Sequence, residues 1–230
     1  MEMLKKSAPH CNLRTMAILH KSDYATLYIV RHGQSHANVN KIISGHFDSP
    51  LTELGEAQAQ TLGEKLRDIH FDAVFSSDLV RAKRTAELAQ LERKLVVQTT
   101  TLLRERSFGS YEGKSHALFD EENKELLEMR KLLSKEEREK VAFGGTGESG
   151  TQLIGRLLLF LREVSVAYPG KTILIVTHGG MLQALLVHLG WSTYEGLPMR
   201  GIQNTSYIMC ACDGVNFILE DTYGIEKQTV

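Results

Sequence analysis

Two histidines and two arginines stand where short apolar runs end. Tyr28-Ile29-Val30 passes into Arg31-His32-Gly33, and Ile173-Leu174-Ile175-Val176-Thr177 into His178-Gly179-Gly180. Val74-Phe75-Ser76-Ser77 leads into a turn and helix that would present Arg81. An imidazole can be a nucleophile or a proton carrier near neutral pH. A guanidinium keeps its charge at any working pH and offers forked donors matched to tetrahedral oxyanions. Glycines at 33, 179 and 180 let a backbone approach a ligand closely. Gathered at one place, these groups make an oxyanion pocket, and the anion of matching size and charge is phosphate.

Such a gathering needs strands that end on the same side. Leu27–Val30, Ala73–Phe75, Leu95–Val97 and Thr172–Thr177 are short, β-branched and bounded by turns, as buried parallel strands are. Ser206–Cys212 and Val215–Glu220 read as a final hairpin around Asp213-Gly214. Thr52 is a suitable N-cap for a helix with Leu62, Leu66 and Ile69 on one face, and Asp78 for a second helix running through Leu88. Residues 150–167 and 179–189 supply two more helices. The alternation predicts an α/β fold, a three-layer α/β/α sandwich on a mostly parallel, doubly wound sheet. In such a sheet ligands bind at the carboxyl ends of strands, and helices starting there add N–H groups and a positive dipole end. Residues 114–149 differ: Lys/Arg and Asp/Glu interleave at helical spacings up to residue 140, then a glycine-rich stretch follows. A solvated helical insertion covering the strand ends is expected there.

Composition narrows the function. In 230 residues, 27 Lys+Arg oppose 28 Asp+Glu, a balance that suggests neither a nucleic-acid nor a membrane-surface partner. The 42 % hydrophobic content suits one globular domain, expected over residues 26–230, with residues 1–25 a poorly ordered extension. No apolar stretch is long enough to cross a bilayer, and no secretory signal is evident near the start. Of the 3 cysteines, Cys210 and Cys212 are expected on opposite faces of one strand, which gives no disulfide framework and points to a reducing cytosol, hence a cytoplasmic protein. Oligomeric state is not legible.

The ordered motifs resemble those of the histidine phosphatase superfamily, the phosphoglycerate-mutase-like proteins. The similarity runs through Arg31-His32-Gly33-Gln34-Ser35 with Asn38, Ser44-Gly45, Pro50-Leu51-Thr52-Glu53-Leu54-Gly55 and Ser76-Ser77-Asp78-Leu79 with Arg81. It continues through Arg104-Glu105-Arg106-Ser107-Phe108-Gly109 with Glu112-Gly113, Gly147-Glu148-Ser149 and His178-Gly179-Gly180. The resemblance implies that His32 is the nucleophile, forming a phosphohistidine, while Arg31, Arg81 and His178 hold the phosphoryl oxygens. Attack requires an unprotonated ring nitrogen, so the other should be tied to a backbone carbonyl. Glu105 is implied as the proton donor to the leaving oxygen and then the base that activates water. Asn38, Ser44, Gly45 and Gly179 match secondary substrate or phosphate contacts. No cofactor and no metal are implied, and the ligand is a small phosphorylated metabolite.

Within the resemblance, residues 114–149 carry neither proline nor an adjacent arginine pair, unlike the cationic lid of a phosphoglycerate mutase. This favours the phosphatase branch, with broad-specificity and fructose-2,6-bisphosphatase-type members, over a cofactor-dependent mutase. A catalytically idle phospho-ligand-binding domain is the third reading, and Glu105 argues against it. Two departures bear on specificity: Gln183 stands where relatives commonly carry arginine, and Phe108 where mutases have tyrosine. Other patterns lead nowhere. Residues 145–150 satisfy GxGxxG, but the run before them is charged and no strand precedes it, so a loop and helix start are expected. His32 and His36 lack the glutamate of a zinc-protease motif.

Overall fold

The computed structural model describes residues 23–143 and 145–228. The expected extension therefore lies outside the described residues except at its end, where Tyr24 is buried and Ala25 opens the first strand. In chain order the strands are β1 (Ala25–Arg31), β2 (Ala73–Ser77), β3 (Val97–Thr100), β4 (Thr172–Thr177), β5 (Ile202–Cys212) and β6 (Phe217–Ile225). The helices are α1 (His36–Val39), α2 (Glu53–Lys65), α3 (Val80–Ala89), α4 (His116–Glu122), α5 (Lys124–Leu132), α6 (Lys135–Lys140), α7 (Gly150–Ala167) and α8 (Gly179–His188).

One six-stranded sheet runs in the order β3-β2-β4-β1-β5-β6. The strands β3, β2, β4 and β1 are parallel, and β5 and β6 add an antiparallel edge. Alternation along the central strands builds two cores, because successive side chains point to opposite faces. Leu27, Ile29, Ile173 and Ile175 pack against Leu153, Leu157 and Leu161 of α7 and Leu182 and Leu185 of α8. Tyr28, Val30, Leu174 and Val176 pack against Leu62 and Leu66 by α2 and Ala82, Ala86 and Ala89 of α3. Each fully buried leucine or isoleucine contributes roughly 1.5–3 kcal/mol of transfer free energy. The three-layer expectation holds.

Several boundaries and caps differ from expectation. The third strand starts at Val97, where Leu95–Val97 had the apolar signal, and its Gln98, Thr99 and Thr100 are polar because it is a sheet edge. Thr52 caps α2 as expected, its hydroxyl accepting from Gly55 N at 3.0 Å. Asp78 does not cap α3. Its carboxylate takes a forked pair from Arg104 at 2.8 and 2.6 Å, a charge-assisted contact stronger than one to a neutral N–H. Asp48, from a different loop, accepts from Val80 N at 3.0 Å instead. Cys210 and Cys212 both face the α7–α8 core, since a two-residue step returns a strand side chain to the same side. Both are free thiols, and burial pushes their pKa values up.

The insertion is helical, as α4, α5 and α6. It has a small core of its own, in which Phe119 and Phe143 pack with Tyr111 and Ile43. Its entry is pinned to the loop after α1 by Ile43 N to Lys114 O and Gly113 N to Ile43 O, both 2.9 Å. After it, Ser149 and Gln152 form a capping box that starts α7 in the glycine-rich stretch, so the GxGxxG pattern is a loop and helix start.

Candidate active site

Parallel pairing in register brings the two histidines together. Arg31 is opposite Thr177, and His32 N donates to Thr177 O at 3.0 Å, so the next residue on each chain is a histidine at the same sheet edge. The rings of His32 and His178 lie 5.1 Å apart, centre to centre. On the other side of β4, β2 ends in register at Ser76 and delivers α3 with Arg81. This is the convergence that the strand exits imply.

His32 is 4 % exposed. Its Nδ1 lies 2.7 Å from Gly33 O. A carbonyl oxygen can only accept, so Nδ1 carries the hydrogen and Nε2 the lone pair. Burial holds the ring's pKa well below the ordinary histidine value, and Arg81 and Arg31 add to that depression. Both causes favour the neutral imidazole, with Nε2 unprotonated. His178, 0 % exposed, is depressed in the same way by burial and then by Arg81. Neither of its ring nitrogens has a hydrogen-bond partner among the described residues.

Arg81 is 1 % exposed, and a buried guanidinium is costly unless it is satisfied. Nη1 donates to Phe47 O at 3.0 Å and Nη2 to Gly45 O at 2.9 Å, with Glu105, Asp48 and Glu112 nearby as countercharges. Arg31 donates through Nη1 to Ile202 O. The Nε of each arginine has no partner among the described residues. Gly179 is what lets Arg31 lie against the start of α8: a Cβ there would come within 3.3 Å of Arg31 Nε and 2.8 Å of Met199 Cε.

Glu105 reaches the same helix start. Its Oε2 accepts from Gly180 N at 2.9 Å and its Oε1 from Arg106 N at 2.7 Å, so two backbone donors hold the carboxyl group. A Cβ on Gly180 would sit 2.3 Å from Oε1, so a side chain at 180 would expel the carboxylate. Of the implied secondary contacts, Gly45 has φ +46°, and a Cβ there would strike Glu112 Oε1 at 2.5 Å. Ser44 precedes it in the loop that holds Arg81. Asn38 closes a capping box on α1, with Ser35 N donating to its Oδ1 at 3.1 Å.

Three residues of this neighbourhood were not singled out by sequence. Asn204 on β5 donates to His32 O at 3.0 Å; its signal is a polar triplet, Gln203-Asn204-Thr205, inside an apolar strand. Arg156, a mostly buried cation between the leucines of α7, hydrogen-bonds the main chain of Glu105. His46 lies with its Nε2 2.9 Å from the same Glu105 O. The two departures have structural roles here: Gln183 Nε2 donates to Leu197 O at 2.7 Å, and Phe108 packs on Phe119 and Phe143. Among the described residues no cluster has the composition of a metal site, and His36 is exposed on α1.

The pattern characteristic of the histidine phosphatase superfamily (branch 1) matches residues 27–222. The chain belongs to that superfamily. It is 36 % identical over 165 residues to phosphoglycerate mutase-like protein 4 of Arabidopsis thaliana, covering 71 % of this chain and 70 % of that one. To a broad-specificity phosphatase of Saccharomyces cerevisiae it is 34 % identical over 177 residues, 74 % of this chain and 70 % of the relative. A mycobacterial glucosyl-3-phosphoglycerate phosphatase, solved in complex with VO3, superimposes with a TM-score of 0.71 at 30 % identity, covering 87 % of this chain and 99 % of that one. As a histidine phosphatase, this protein is an enzyme of the phosphatase class. Among its described residues no helix is long and apolar enough to cross a membrane.

Proposed function

We propose that this histidine phosphatase hydrolyses small phosphomonoesters in two steps through a phosphohistidine on His32. The observation that carries the reading is the Nδ1 contact to Gly33 O at 2.7 Å, in a ring whose pKa is pushed well below its usual value. That pairing leaves the Nε2 lone pair available for in-line attack on phosphorus.

In the first step Nε2 attacks, the P–O bond to the alcohol breaks, and the departing oxygen takes the proton of the Glu105 carboxyl. In the second, water attacks the phosphoryl group, Glu105 takes its proton, and the P–N bond breaks to return free His32 and inorganic phosphate. Arg31, Arg81 and His178 stabilise the charge that spreads over the three equatorial oxygens, the usual source of most of the acceleration. Asn38, Ser44, Gly45 and the start of α8 at Gly179 complete the cradle.

A small metabolite is the favoured substrate, since the insertion's charges nearly cancel and the named relatives include a broad-specificity phosphatase and a glucosyl-3-phosphoglycerate phosphatase. Two free thiols on β5 fit a reducing, cytoplasmic setting. The test is p-nitrophenyl phosphate hydrolysis by wild type and His32→Ala, with acid-labile phosphate located by mass spectrometry after rapid quench. We expect turnover lost in the variant and the label on His32. A label on any other side chain, or equal rates in the two proteins, overturns the mechanism.

A further inference from the structure

The segment that carries Glu105 is held from behind by one side chain. A guanidinium has five N–H donors, and those of Arg156 are all engaged. Nε and Nη2 form a forked pair with the Glu148 carboxylate at 2.6 and 2.8 Å. Nη1 donates to Leu102 O at 2.7 Å and to Arg104 O at 2.5 Å, and Nη2 also to Glu105 O at 2.9 Å. Glu148 ties Ser107, two residues on, as well, accepting from its N at 3.3 Å while its own N donates to Ser107 O at 2.8 Å. Both side chains are mostly buried, at 16 % and 14 % exposure, so the pair is not a screened surface contact.

With every donor committed to protein oxygens, Arg156 has none to offer a phosphate. Beyond its charge, which also reaches His178, its effect on the reaction passes through the segment it clasps. Three main-chain carbonyls, of Leu102, Arg104 and Glu105, converge on one planar, rigid group, and the residue at the end of that clasp is the one whose carboxylate sits at the start of α8. A lysine could not reproduce this, because its ammonium is a point with three donors on a flexible stem.

We propose that Arg156 and Glu148 are a positioning pair for Glu105, fixing the carboxylate where it can pass a proton to the leaving oxygen. This rests on the role assigned to Glu105 above. The two claims separate by leaving group. The ratio kcat/KM reports only events up to departure of the alcohol. A p-nitrophenolate leaves without a proton, whereas a simple alkoxide such as that of glycerol 3-phosphate does not. Glu105→Gln should therefore depress kcat/KM for the alkyl ester far more than for the aryl ester. Arg156→Lys and Glu148→Gln should repeat the pattern more mildly, by about 10- to 100-fold on the alkyl ester and within a few-fold on the aryl one.

In the Glu105→Gln background, Arg156→Lys should add almost nothing, since the group it aims is already disabled. Circular dichroism melts accompany each variant, and Glu148→Gln serves if Arg156→Lys does not fold. Equal losses on the two esters, or a full extra loss in the double variant, would show a merely structural contact and overturn the pair's role. An unselective Glu105→Gln would instead remove the general-acid assignment, and the positioning claim with it.

Discussion

His32 and His178 are held neutral by their surroundings, and that has a cost below neutral pH. Both are buried within reach of the charges of Arg81 and Arg31, and both have folded-state pKa values well below the ordinary value. In the unfolded chain they bind protons as the pH falls through about 6.5. The unfolded state then holds more protons than the folded one, so stability is full above that pH. It declines on acidification until the folded-state pKa values are reached. Each ring contributes a slope of at most about 1.4 kcal/mol per pH unit in that window. Urea titrations between pH 7.5 and 5 should show a steep loss, and His178→Asn should flatten it by roughly a third to a half, the rest coming from His32 and the also depressed His188. A slope identical in wild type and variant would mean that His178 is not the buried neutral base described here. The same depression predicts that His32 stays competent as a nucleophile well below pH 6.5, so an acid limb in kcat/KM near that value must come from a different group.

At the scale of elements, the site depends on where strands end and on one irregularity in β5. The register of β5 against β6 shifts between Ile202 and Tyr207, and Thr205 there adopts φ +57°. A β-branched residue in the left-handed region is strained by about 1–2 kcal/mol. The bulge turns two donors onto the carbonyl just past the end of β1: Asn204 Nδ2 at 3.0 Å and Thr205 N at 3.4 Å from His32 O. Asn204→Asp keeps the shape but replaces that donor with an acceptor, so kcat should fall by about 10- to 100-fold with little change in the melt. Thr205→Gly relieves the left-handed strain but makes the unfolded chain freer, so stability should rise by less than about 1 kcal/mol while activity is kept. Loss of activity in Thr205→Gly with a normal Asn204→Asp would invert these roles. Only the polar run at Gln203-Asn204-Thr205 marked the place in sequence, because a bulge is set by pairing with a distant strand. The strand exits were legible, because apolar runs that stop at Arg31 and His178 are local signals. Asp78 misled for the same reason as the bulge: its partner, Arg104, is brought to it by the fold.

For the whole molecule, the sheet, its two helical layers and the converging groups followed from alternation and from residue order, which survive without knowledge of contacts. What did not follow is how the insertion uses its charge. Its cations are largely committed to the protein itself. Arg130 lies 4.6 Å from the centre of the Phe143 ring and donates to Val141 O at 3.0 Å. Lys131 pairs with Glu128 and Arg138 with Glu195. Lys135 donates to Val187 O at 3.1 Å, tying α6 to the end of α8. A mutase has to keep a bisphosphate enclosed between two half-reactions, which takes uncommitted positive charge over the pocket. An insertion whose cations are paired or stacked offers little hold on a second phosphate, and under the mechanism proposed above water then takes the phosphoryl group before an intermediate can turn. With 3-phosphoglycerate and 2,3-bisphosphoglycerate supplied together, free phosphate should accumulate well ahead of 2-phosphoglycerate, as followed by phosphorus NMR. Rapid equilibration of the two monophosphates with little free phosphate would place this chain with the mutases and would require that the insertion's cations exchange their protein partners for substrate.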